Sequence, residues 1–131
     1  MKFAGLAFVA LTALFTACGS DTELQVGERT SMEVKPVVNL GNVALGEEVE
    51  AVFNVKNTGD HPLILGDVTP SCGCTVPSWT KDPIAPGESG KIKAKINTEG
   101  FSYGPLNKRV TVVSNTTPST TILEVKLNIV K

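Results

Sequence analysis

The sequence predicts an all-β protein, two packed antiparallel sheets built from about seven short strands, and three observations carry that reading. From residue 32 onward apolar residues recur at every second position in short runs, the period of a strand with one buried face. Clusters of Gly, Pro, Asn and Asp separate the runs at short spacing, as turns do. Aromatics are scarce, at one Trp, one Tyr and five Phe in 131 residues, and Phe3, Phe8 and Phe15 fall near the N-terminus. The core must therefore be mostly Val, Ile and Leu, and β-branched side chains pack well on a pleated surface. A chain of this length is one domain, large enough to bury a core without metal or several disulfides.

The first candidate strand covers residues 32–38, with Pro36 marking an edge or a bulge. Leu40-Gly41-Asn42-Val43 and Leu45-Gly46-Glu47-Glu48 read as a short strand and a turn. The cleanest strand is 49–56, where Val49, Ala51, Phe53 and Val55 alternate with Glu50, Val52, Asn54 and Lys56. Asn57-Thr58-Gly59-Asp60 supplies turn chemistry, and residues 63–68 form a strand that ends at Pro70. Residues 76–87 contain Pro77, Pro83 and Pro86, each lacking a ladder donor, so a central strand is excluded there. That stretch is expected to cross between sheets and to end in a type II turn at Pro86-Gly87. Ile92, Ala94 and Ile96 face inward between Lys91, Lys93 and Lys95. Val110 and Val112 lie in a strand at 108–114, residues 115–119 form a loop, and Leu123, Val125, Leu127 and Ile129 alternate with Glu124, Lys126 and Asn128. Two packed sheets bury one face of every run; a small barrel is the alternative.

The N-terminus has a different character. Lys2 precedes an apolar run from residue 3 to residue 15, interrupted only by Gly5 and Thr12. This is shorter than the roughly 20 residues of a membrane-spanning helix and has the length of a signal-peptide core. Phe15-Thr16-Ala17-Cys18-Gly19 follows. Small residues directly before a cysteine resemble a bacterial lipobox, although Phe15 stands where Leu is usual. The resemblance implies a lipoprotein signal peptide at 1–17, cleavage before Cys18, and acylation of its thiol. More than one acyl chain makes such an anchor stable. Gly19, not Asp, follows the cysteine, which by resemblance to Gram-negative sorting favours the outer membrane over the inner. Residues 18–31 are then a lipidated, polar tether, and 32–131 the folded domain.

Twelve basic and thirteen acidic residues give a net charge of -1. No strong positive field is focused anywhere, so nucleic acid is not an expected partner. The lysines of residues 91–95 read as the solvated face of a strand.

The middle of the chain resembles a known family. Leu40-Gly41-Asn42-Val43, Gly46, Phe53-Asn54-Val55-Lys56-Asn57-Thr58-Gly59 and Pro62-Leu63 are similar to the start of the DUF1573 family. Ser71-Cys72-Gly73-Cys74-Thr75, Trp79, Pro83-Ile84-Ala85-Pro86-Gly87-Glu88, Gly104 and Val113-Ser114-Asn115 continue the pattern, with Leu40 where members often have Phe. The resemblance covers roughly residues 34–130 and implies an immunoglobulin-like antiparallel β-sandwich in a bacterial cell-envelope protein. It implies no catalytic activity.

Little in the sequence supports catalysis. His61 is the one histidine, in a turn between Asp60 and Pro62, which leaves a His-based triad without support. Asp60, Asp67 and Asp82 are dispersed and read as surface carboxylates. No cofactor is expected. Trp79 is expected to plug the core or rim and to find a partner for its indole N–H; stacking on a ligand is the alternative. Cys72 and Cys74 are the only thiols left once Cys18 is acylated. In a compartment that permits disulfides they are expected to join in a local disulfide, with Gly73 bending the chain between them. Two thiols cannot complete a tetrahedral zinc site but can hold Cu(I). The expected function is thus a non-catalytic envelope module with a structural or protein-interaction role, whose partners are the membrane and another envelope protein. The alternative is a copper-binding or thiol-redox accessory protein using the Cys-Gly-Cys pair.

Overall fold

Each alternating run of the sequence becomes a strand in the computed structural model, which describes residues 28–131. The leader, Cys18 and most of the tether lie outside the described residues. The strands are β1 (Met32–Val34), β2 (Val37–Ala44), β3 (Glu48–Asn57), β4 (Leu65–Pro70), β5 (Thr75–Trp79), β6 (Ser89–Asn97), β7 (Gly104–Ser114) and β8 (Thr120–Val130). They form two four-stranded sheets in the orders β1-β3-β6-β5 and β2-β8-β7-β4.

The facing sheets bury the apolar set that the alternation marks. Ala51, Phe53 and Val55 of β3, Ile92, Ala94 and Ile96 of β6, Val110 and Val112 of β7, and Leu123, Val125, Leu127 and Ile129 of β8 are all buried. Leu63, Leu65, Val68 and Ile84 complete the interior from the connecting segments and β4. On the solvated side of β3 and β6, Lys95 pairs with Glu48 at 3.3 Å and Lys93 with Glu50 at 3.9 Å. These exposed pairs contribute little to stability.

Several expectations need correction. Residues 32–38 are two strands in different sheets. The chain leaves β1 at Pro36, which cannot donate to a ladder, and crosses to the other sheet as β2. There β2 pairs with β8 in parallel, Val38 opposite Val125 and Val43 opposite Ile129, with a register shift between Asn39 and Asn42. Gly41 absorbs that bulge at φ +69°, and its N–H donates to Asn39 Oδ1 at 2.9 Å. Among the described residues one strand pairing is therefore parallel, and eight strands are present, in keeping with the expected number of about seven. β7 begins at Gly104, well before residue 108.

The expected crossing segment also contains a strand. β5 pairs with β6, Pro77 opposite Ala94. Cys74 O accepts from Asn97 N–H at 3.1 Å, and Thr80 N–H donates to Lys91 O at 3.0 Å. The bonded positions facing β6 are thus even-numbered, and the Pro77 nitrogen points out from the sheet edge, where its missing hydrogen leaves the ladder intact. The turn at Pro86-Gly87 has the expected form: Gly87 sits at φ +82°, and Glu88 N–H closes onto Ala85 O at 2.9 Å.

Candidate functional site

Two places on the sandwich have chemistry to offer, and they follow from how its edges are finished. The loop between β4 and β5 passes from one sheet to the other at one end of the molecule. Ser71 N–H donates to Arg109 O at 2.9 Å, and Arg109 N–H returns to Ser71 Oγ at 3.2 Å. Cys74 O is held by Asn97, and Thr75 N–H reaches Cys72 O at 3.4 Å. Between these ties Cys72 and Cys74 are disulfide-bonded, with Cα atoms 5.4 Å apart, inside the usual span. Both are half-buried while Ser71 and Gly73 are exposed. The buried Thr75 turns its hydroxyl toward both sulfurs, 3.7 Å from Cys74 Sγ and 4.0 Å from Cys72 Sγ.

The other sequence-level candidates do not gather here. Asn97, bonded to Cys74, lies opposite Glu48 at the start of β3, whereas His61 lies just past its end, so the two occupy opposite ends of the sandwich. His61 Nδ1 is 3.1 Å from Glu28 Oε2, both side chains about half exposed. Asp67 accepts from Thr69 Oγ1 at 2.9 Å. Among the described residues no three His, Cys, Asp or Glu side chains converge as a metal cluster, so a metal at the loop would rest on the two thiols. Trp79 packs against the core and donates its indole N–H to Leu65 O at 3.1 Å, joining β5 to β4 across the two sheets. Lys81 Nζ lies 3.0 Å from its ring centroid, which covers one face of the ring.

Asn57 is the residue whose importance the sequence hid. It looked like the first residue of a turn, yet it is completely buried. Its Oδ1 accepts from Thr30 Oγ1 at 2.8 Å and Gly59 N–H at 3.0 Å. Its Nδ2 donates to His61 O at 2.7 Å and Ile84 O at 2.8 Å. A single amide thereby binds the approach to β1, the turn after β3 and the residue bridging to Leu63. Gly59 belongs to this knot, because a Cβ there would run into Thr30 and Ser31.

The second place is the edge of β3. β6 flanks β3 from Glu48 to Lys56, but β1 pairs only with Val55, Lys56 and Asn57. Asn57 N–H bonds toward the β6 side, to Glu88 O, and Thr58 N–H bonds toward β1, to Ser31 O. By alternation the N–H and C=O groups of Glu48, Glu50, Val52 and Asn54 face the side that β1 has vacated. Beside them a groove of about 460 Å³ runs under the chain crossing, lined by Val34, Lys35, Val37, Val38, Val52 and Phe53 among others. No alternation pattern announces this edge; it exists because the chain changes sheets at Pro36.

Fold and edges together define the class, an immunoglobulin-like sandwich whose first strand is divided between both sheets. A protein of unknown function from Porphyromonas gingivalis W83 is similar, with a TM-score of 0.68 and 20% identity over 83% of this chain and 51% of that one. The present chain spans about half the length of that protein. The PapD-like domain 7 of human CEP192 matches at a TM-score of 0.59 and 12% identity, over 79% of this chain and 87% of that domain. The secreted serine protease VesC from Vibrio cholerae matches at 0.58 and 12% identity, over 76% of this chain and 23% of that one. At these identities the likeness is one of fold. No curated protein is matched. The model of a family described as "protein of unknown function (DUF1573)" matches residues 31–129, and the chain belongs to that family.

Proposed function

We propose that this protein is a non-catalytic interaction module of the bacterial cell envelope, anchored by lipid on Cys18, that binds an extended segment of another envelope polypeptide along β3. The observation that carries the reading is the outer edge of that strand at residues 48–54, which β6 flanks on one side and, among the described residues, no strand flanks on the other. Sheet edges with free ladder groups bind strands by augmentation. The other edges are blunted: β1 is short, β2 carries the Gly41 bulge, β4 is tied to Trp79, and β5 turns Pro77 outward. The incoming strand runs antiparallel to β3 in line with β1. It places apolar side chains over Val37, Val38 and Val52, and neutral or basic ones beside Glu48 and Glu50.

A photo-cross-linking residue in place of Val52, in the anchored full-length protein, is expected to give one discrete adduct with a second polypeptide. The same residue in place of Ile122, which is 53% exposed on β8, gives none. Glu50→Pro removes an outward N–H without touching the β3–β6 ladder and is expected to weaken the Val52 adduct at least tenfold. No adduct at Val52, equal adducts at both positions, or an adduct with a second copy of this chain would overturn the reading.

The anchor is tested separately. Mass spectrometry of the mature N-terminus is expected to find an acylated peptide beginning at Cys18. Cys18→Ser abolishes it and releases the protein from membranes with its unfolding midpoint unchanged. An unmodified wild-type peptide running through residues 15–20 would rule the anchor out.

A further inference from the structure

We propose that Cys72 and Cys74 form a thiol–disulfide exchange site, reacting stoichiometrically with a dithiol of another polypeptide. The bond has little structural work to perform. Disulfide stabilisation grows with the logarithm of the loop it closes, and this ring spans Gly73 alone. Hydrogen bonds from Arg109, Asn97 and Thr75 already hold the loop on both sides. These ties hold the backbone of the two residues without help from the disulfide, so the two thiols stay within reach of each other after reduction.

The surroundings suit exchange. Both cysteines are half-buried at an exposed loop tip, and the neighbouring Val76, 64% exposed on the β5 edge, offers an approaching chain an apolar contact. Thr75 places beside the sulfurs a polar group that favours exchange. Its side chain is buried, with a residue exposure of 4%, and its hydroxyl finds hydrogen-bond partners in the two sulfurs. Valine would fill the same volume. A hydroxyl aimed at sulfur stabilises a departing thiolate, and better leaving thiolates speed exchange.

In the forward direction a thiolate of the partner attacks Cys72 Sγ. The bond to Cys74 Sγ breaks, and its electron pair leaves on Cys74 Sγ, the sulfur nearer Thr75 Oγ1. The partner's second thiol loses its proton and attacks the partner sulfur of the mixed disulfide, releasing Cys72. Two electrons and two protons have then passed to this protein, leaving two thiols here and a disulfide on the partner. The reverse sequence reduces a partner disulfide. This site is independent of the β3 edge and stands or falls without it.

Full-length protein in detergent is equilibrated with glutathione buffers of graded ratio, quenched with acid, alkylated and weighed intact. The pair is expected to titrate from fully oxidised to fully reduced across those buffers, with the unfolding midpoint the same in both forms. Dithiothreitol is expected to reduce Thr75→Val about three- to tenfold more slowly than wild type. The alkylation profile of the reduced variant shifts to higher pH, and Thr75→Ser retains wild-type behaviour. A bond that glutathione cannot reduce, a fold lost on reduction, or identical rates and profiles in wild type and Thr75→Val would overturn the proposal. One-to-one Cu(I) uptake that protects both thiols from oxidised glutathione would also overturn it, in favour of a metal site.

Discussion

Phe53→Ala is expected to lower the unfolding free energy by about 3–5 kcal/mol, the sum of lost transfer energy and a cavity that the surroundings only partly fill. Phe53 is 1% exposed and lies opposite Ile92 in the β3–β6 ladder, midway along the strand, where two packed sheets leave little room to collapse. The comparison is Lys93→Ala on the adjacent strand. Lys93 faces solvent, and its ion pair with Glu50, at 3.9 Å between side chains more than 40% exposed, is screened. Its loss should stay within about 0.5 kcal/mol. Urea melts of the two variants give the contrast directly, and equal losses would mean that the strand phase or the element type assigned to β3 and β6 is wrong.

Asn57→Ala is expected to cost about 2–4 kcal/mol although it deletes only a small polar group. The change strips an acceptor from Thr30 and Gly59 and a donor from the carbonyls of His61 and Ile84. Each buried group left unpaired costs about 1–3 kcal/mol before relaxation or water recovers part of it. Asn57→Asp is the more telling variant. It keeps the acceptor for Thr30 and Gly59 but turns an oxygen toward two carbonyl oxygens in a buried site, so the protonated carboxyl is favoured there. The folded-state pKa of that carboxyl then lies above the unfolded value of about 3.9, and the folded form binds the extra proton. Stability relative to wild type is therefore greatest below about pH 4 and falls as pH rises through the folded-state pKa. Unfolding midpoints measured from pH 3 to pH 8 on both proteins provide the check, and parallel curves would remove Asn57 from the centre of this knot.

These two residues also mark how far the sequence could be read. Phe53 was legible because burial of a strand face is a local, period-2 property, carried by Ala51 and Val55 on the same side. Asn57 was not. A buried, fully bonded amide and an exposed turn amide look alike until Thr30 and Ile84, each distant in the chain, are brought against it. The Cys72–Cys74 proximity follows from spacing alone, but the direction of the Thr75 hydroxyl depends on β5 docking against β6.

From its own residues the chain determined an all-β fold, the inward face of nearly every strand, the Pro86-Gly87 turn and the family signature around Ser-Cys-Gly-Cys-Thr. Each of these depends on side-chain alternation or on backbone preferences within a few positions. Tertiary structure alone decided which sheet each strand joins, the parallel pairing of β2 with β8, the outward placement of Pro77 and the free edge at residues 48–54. A strand presents the same alternation to a parallel partner, an antiparallel partner or none, because its ladder groups lie in the plane of the sheet and its side chains lie out of it. Pairing is settled only when the two apolar faces close on each other. That closure sends β2 across at Pro36 and leaves one edge of β3, at residues 48–54, without a partner among the described residues.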